Sequence, residues 1–107
     1  MEPLIEIHDE EDLAKLSASE CFDSINLIGI NSRDLRTLGT DLSSVQALRQ
    51  RIPPGKVVIA ESGVRAPSEL PRLRGFDAVL IGSAFMEAGN LDRAVDEMVE
   101  ASRNVVP

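Results

Sequence analysis

Apolar residues in this chain alternate between short unbroken runs and stripes at helical spacing. Leu4-Ile5-Glu6-Ile7 is β-prone and apolar apart from Glu6. Asp9 then stands as a helix cap, with Leu13 and Leu16 three apart on one face. Residues 17–23 are polar and break the pattern. Ile25 to Ile30 reads as a second strand and closes in Asn31-Ser32-Arg33-Asp34. Asp41 is placed to cap a second helix whose stripe is Leu42, Val45, Leu48 and Ile52, and Pro53-Pro54-Gly55 ends it. Val57 to Ala60 is the third strand. Pro67 suits the first turn of a third helix that holds Leu70 and Leu73 and stops at Gly75. Pro71 removes a hydrogen bond inside that segment, so the helix is expected to be short or irregular. Ala78 to Ile81 is the fourth strand and Ser83 to Met86 a short extra helix. Asn90 caps a last helix with Leu91, Ala94, Val95 and Met98 on one face.

The order is strand–helix repeated four times, which implies an α/β fold of parallel strands joined by helical crossovers. Runs as apolar as Val57-Val58-Ile59-Ala60 belong to strands buried on both faces. Four units are an awkward number, because a closed parallel barrel with a filled interior takes eight. The expectation is half of a (βα)₈ TIM barrel: four parallel βα units in one domain over residues 1–107. Barrel curvature in only four strands leaves two open edges and an uncovered apolar inner face, so such a chain is completed by association. Two copies about a two-fold axis are the simplest way to do it. The alternative is a flat four-stranded sheet with helices on both sides.

Composition narrows the function. The chain has 107 residues and a formal net charge of -7, with no basic cluster, which excludes nucleic-acid binding. An anionic ligand would need local help from Arg or from backbone amides. Cys21 is the only cysteine and makes no intramolecular disulfide. Without a signal peptide or a long apolar span, a cytoplasmic protein that does not engage membranes is expected. No His/Cys/carboxylate spacing suggests a metal, and there is no dinucleotide or Walker phosphate loop.

The candidate chemistry lies where the strands end. Glu6 with His8, Asn31 with Arg33, Glu61 with Ser62, and Gly82 with Ser83 all fall there. In a parallel sheet these ends share one rim, the place where such folds hold ligands. Glu6 and Glu61 interrupt or end apolar strands, where a carboxylate is costly. They serve either proton transfer and hydroxyl binding or a buried ion pair with Arg33 or another base. Ser62-Gly63 and Gly82-Ser83 resemble a phosphate cradle, in which glycine admits the anion close to the backbone; the plainer alternative is two ordinary turns. Asn31 and Arg33 either orient a substrate or cap a turn and neutralise Glu61. His8, between a strand and a helix cap, reads as a supporting or turn residue rather than a catalyst.

At these residues the chain resembles the carboxyl-terminal half of the indole-3-glycerol phosphate synthase family. The segments that carry the resemblance are Pro3-Leu4-Ile5-Glu6-Ile7-His8-Asp9, Ile28-Gly29-Ile30-Asn31-Ser32-Arg33-Asp34-Leu35, Ala60-Glu61-Ser62-Gly63-Val64 and Leu80-Ile81-Gly82-Ser83-Ala84-Phe85-Met86. The resemblance implies units five to eight of a (βα)₈ barrel. It also implies a carboxy-lyase of tryptophan biosynthesis. That reaction closes an indole ring from a carboxyphenylamino-deoxyribulose phosphate, loses carbon dioxide and water, and uses no cofactor. By similarity, Glu6 takes part in proton transfer, and Asn31 and Glu61 hold substrate hydroxyls and the catalytic network. Ser62, Gly63, Gly82 and Ser83 bind the phosphate; Arg33 matches the motif in a binding or structural role. The family's two essential lysines and a further carboxylate come from the other half, and Lys15 and Lys56 do not replace them. This chain alone is therefore expected to be inactive, with an N-terminal half-barrel or a second copy of itself as partner. Met1-Glu2-Pro3 resembles an internal stretch of the family enzyme, as in a fragment, an internal start or a half-barrel built by design.

Overall fold

A computed structural model describes residues 1–31, 42–61 and 64–105. The strands are β1 (Leu4–Ile7), β2 (Leu27–Ile30), β3 (Val57–Glu61) and β4 (Ala78–Leu80). The helices are α1 (Glu10–Ser17), α2 (Leu42–Gln50), α3 (Ser83–Met86) and α4 (Leu91–Arg103). Two 3₁₀ segments, Phe22–Ser24 and Pro67–Leu73, complete the described elements. The sheet is wholly parallel with strand order β1-β2-β3-β4.

Sequential parallel neighbours joined by crossovers of one hand put every helix on the same side of the sheet. The core shows this. Ile7, Ile28, Ile30 and Val58 meet Leu13 of α1 and Val45 and Leu48 of α2. Ala60 meets Leu70, Leu73 and Met98, with Val79, Ile81 and Phe85 packed around them. Phe76 touches both groups and joins them into one layer. All the sheet residues named here share one face, since side chains alternate along a strand. On the opposite face Leu4, Val57 and Leu80 remain 42%, 42% and 54% exposed, and none of the described helices covers them. This is the layering of half a (βα)₈ barrel rather than of a flat sheet flanked on both sides.

The caps form as the side-chain chemistry requires. Asp9 accepts a hydrogen bond from the Asp12 amide at 2.8 Å, and Asn90 accepts one from the Arg93 amide at 3.1 Å. Asp41 lies outside the described residues. Two expectations are adjusted and one is met. The second strand starts at Leu27 rather than Ile25, because a 3₁₀ turn over Phe22–Ser24 occupies its approach. The segment Pro67–Leu73 is 3₁₀, the irregular helix expected of a stretch with Pro71 inside, and Gly75 (φ +91°) follows it. The face of α4 turns differently: Met98 is buried, whereas Leu91 and Val95 stay exposed beside Val99. Met98 and Ala101 pack with Leu70, Leu73 and Ala60, Ala94 is half-buried, and Leu91, Val95 and Val99 form a second stripe at i, i+4, i+8.

Candidate active site

The sheet face that none of the described helices covers grades from apolar to polar along the strands. Its lowest layer is Leu4, Leu27 and Val57, paired in register across β1, β2 and β3. The next is Glu6, Gly29, Ile59 and Ala78. At the carboxyl ends come His8, Asn31, Glu61 and Leu80, with Glu61 paired to Leu80 and the Asn31 amide donating to the Ile7 carbonyl at 3.0 Å. Three strands thus deliver their polar residues to one rim.

Asn31 Nδ2 donates to Glu6 Oε1 at 2.8 Å, joining β1 to β2. Glu61 is only 7% exposed, and its carboxyl reaches toward that of Glu6 across the intervening strand. Gly29 makes that reach possible. A Cβ there would fall 2.8 Å from Glu61 Cδ and closer still to Oε2. A strand glycine often marks a close approach of this kind, so the signal was present in the sequence although the role was not assigned. Burial, followed by the neighbouring negative charge of Glu6 and their hydrogen bond, raises the pKa of Glu61; His8 opposes the rise. Two carboxyls this close favour a shared proton.

His8 extends the cluster toward α1. Its Nε2 is 3.5 Å from Glu6 Oε2, and its Nδ1 is 3.2 Å from Asp12 Oδ2. The His8 backbone amide also donates to Asp12 Oδ2 at 2.8 Å. That amide is the main reason the Asp12 carboxyl is held below its usual range, with the His8 ring and Lys15 adding to the effect and partial desolvation opposing it. Asp12 is a member of the cluster that pattern reading missed, since it sits four residues from His8 in a helix start that looks like ordinary capping sequence.

The remaining candidates divide. Gly82 follows β4, and its carbonyl accepts from the Phe85 and Met86 amides at 3.0 and 3.1 Å to start α3. A Cβ on Gly82 would meet nothing within 4 Å, so packing does not demand glycine at this position. Ser83 is the first residue of α3. Arg65 Nη1 donates to Glu87 Oε2 at 3.0 Å, tying the segment after β3 to the one after α3. Arg33, Ser62 and Gly63 lie outside the described residues. The two lysines are elsewhere: Lys15 pairs with Glu11 on α1. Lys56, just before β3 at the opposite end of the sheet, donates to the Phe22 and Ile25 carbonyls at 2.7 and 2.6 Å. Among the described residues no group of His, Cys, Asp and Glu is arranged to hold a metal, and no helix is long and apolar enough to cross a membrane.

A family model described as indole-3-glycerol phosphate synthase matches residues 1–98. The chain belongs to the indole-3-glycerol phosphate synthase family. It is 41% identical over 99 residues to the indole-3-glycerol phosphate synthase of Acetivibrio thermocellus, covering 91% of this chain and 36% of that protein. It is 43% identical over 100 residues to the one from Campylobacter fetus, covering 92% and 37%, and 39% identical over 100 residues to that of Campylobacter hominis, covering 92% and 37%. The chain thus spans a little over one third of the length of these relatives. Its four parallel βα units are half of the family's TIM barrel.

Proposed function

We propose that this chain supplies the carboxylate and phosphate-binding half of an indole-3-glycerol phosphate synthase, acting in the cytoplasm as part of a barrel completed by an amino-terminal half. The reaction closes an indole ring on a carboxyphenylamino-deoxyribulose phosphate and releases carbon dioxide and water. The observation that carries this reading is the Glu6–Asn31–Glu61 cluster at the carboxyl end of the sheet, on the face that the described helices leave open.

Ring closure followed by loss of carbon dioxide and water needs a group that gives a proton and one that takes it. Glu61, with its raised pKa, suits a proton donor; Glu6, oriented by Asn31, suits its exchange partner. Asn31 also directs substrate hydroxyls. The substrate phosphate is assigned to Gly82 and Ser83 together with Ser62 and Gly63, and Arg33 to substrate binding. Neither lysine of this chain stands at the rim, so the cationic acid of the reaction comes from the other half. A second copy of the chain is the competing occupant of the open face; pairing with itself gives a phosphate-binding assembly without lyase activity.

Mixing this chain with a separately produced amino-terminal half of the Acetivibrio thermocellus relative tests the proposal. The expected result is a heterodimer that forms indole-3-glycerol phosphate, while each half alone does not. A heterodimer that forms but never turns over would overturn it. Titration with inorganic phosphate adds a test on the chain alone. Amide shifts centred on Gly82 and Ser83 are expected, and their absence would remove the phosphate assignment.

A further inference from the structure

His8 has a place in the cluster that a turn residue does not need. Its ring lies between two carboxyls on different elements, with Nε2 toward Glu6 and Nδ1 toward Asp12. We propose that Asp12 fixes His8 in the tautomer protonated at Nδ1, so that the bare Nε2 faces Glu6 and His8 takes up the proton of the Glu6–Glu61 pair, beside the solvent that reaches Glu6 itself. The inference rests on reading that pair as the proton-transfer groups of the site.

Asp12 Oδ2 already accepts the His8 backbone amide at 2.8 Å. That donor holds Asp12 ionised, so it acts as acceptor only and Nδ1 must supply the proton between them. In the neutral ring Nε2 then carries a lone pair. Glu6 Oε1 is engaged by Asn31, which leaves Oε2 as the oxygen nearest the ring. Glu61 is buried, while the Glu6 and His8 side chains are 41% and 30% exposed, so both lie at the open side of the cluster. A proton leaving Glu61 passes to Glu6, and the Glu6 O–H proton passes to Nε2. The imidazolium so formed keeps its Nδ1–H toward Asp12 and releases the Nε2 proton to water. No heavy-atom bond changes, and one proton is moved. Among the described residues the charged groups around the ring are Asp12 with Lys15 beyond it on α1, Glu6 on β1 and Glu61 on β3, and Asn31, just after β2, is the neutral member. His8 is a positioning and relay residue, because it reaches Glu61 only through Glu6.

The chain has a single histidine, so its imidazole nitrogens need no assignment against others. ¹⁵N spectra of the full chain, taken where the ring is neutral, are expected to show a protonated Nδ1 and an unprotonated Nε2. In Asp12→Ala the proton is expected to shift to Nε2. A wild-type ring protonated at Nε2 overturns the proposal and needs no variant to fold. The second reading is the Glu61 carboxyl titration by ¹³C. Its midpoint is expected to move upward in His8→Ala with the amide spectrum otherwise retained, and an unchanged midpoint in that folded variant also overturns the relay. Neither reading requires turnover. An inactive reconstituted barrel therefore counts against the lyase reading and not against this one.

Discussion

At the scale of single residues the site depends on one missing side chain. Gly29 lets the Glu61 carboxyl lie across β2 toward Glu6. Gly29→Ala should destabilise the fold by about 1–3 kcal/mol through overpacking. The cost should largely disappear in a Glu61→Ala background, and a urea double-mutant cycle measures that coupling. Charge follows its own sign. A carboxyl whose folded pKa is raised binds its proton more tightly in the folded chain. The contribution of Glu61 is therefore full below the ordinary carboxylate range and is lost as pH rises through its folded value. Asp12, held low, works the other way: its contribution is present above the ordinary range and is lost as pH falls through its folded value. Glu61→Gln should accordingly raise the urea midpoint at pH 7 and give a smaller gain at pH 4. A gain that grows toward acid would contradict the assignment. Gly82 is different in kind. With open space where its Cβ would be, Gly82→Ala should leave the urea midpoint unchanged while weakening phosphate binding.

At the scale of elements, strands and caps do most of the positioning. Ile28 has no exposed surface and anchors β2 between its neighbours. Ile28→Ala should cost about 2–5 kcal/mol in chemical denaturation, as for other large-to-small changes in a packed core. Much of this layer was legible in the sequence. All-apolar runs at Val57 and Ala78, cap residues at Asp9 and Asn90, and a proline inside the segment after Pro67 each act through local chemistry. The face of α4 was not legible, because its apolar residues span two adjacent stripes and periodicity alone does not say which one meets the sheet. The bond between Asn31 and Glu6 and the reach of Glu61 over Gly29 were not legible either. They join residues 25 or more positions apart, and depend on register. What the sequence did carry was the residue types at the strand ends.

At the scale of the whole molecule, the fold leaves two apolar surfaces without cover among the described residues. One is the open sheet face with Leu4, Val57 and Leu80; the other is the α4 stripe of Leu91, Val95 and Val99. In the barrel reading, the first faces the filled interior and the second meets a neighbouring helix of the other half. Charging the open face with Val57→Lys and Leu80→Lys should therefore abolish assembly, read as hydrodynamic mass, while leaving the helix-covered core intact. The net charge of -7 favours a complementary half over a second identical chain at low salt. The most direct measurement is the turnover of the barrel reconstituted with wild-type chain against that reconstituted with Glu61→Gln. A fall of roughly 100-fold or more with assembly unchanged is predicted for loss of a proton-transferring carboxyl. Turnover retained within a few-fold would place the chemistry outside this cluster.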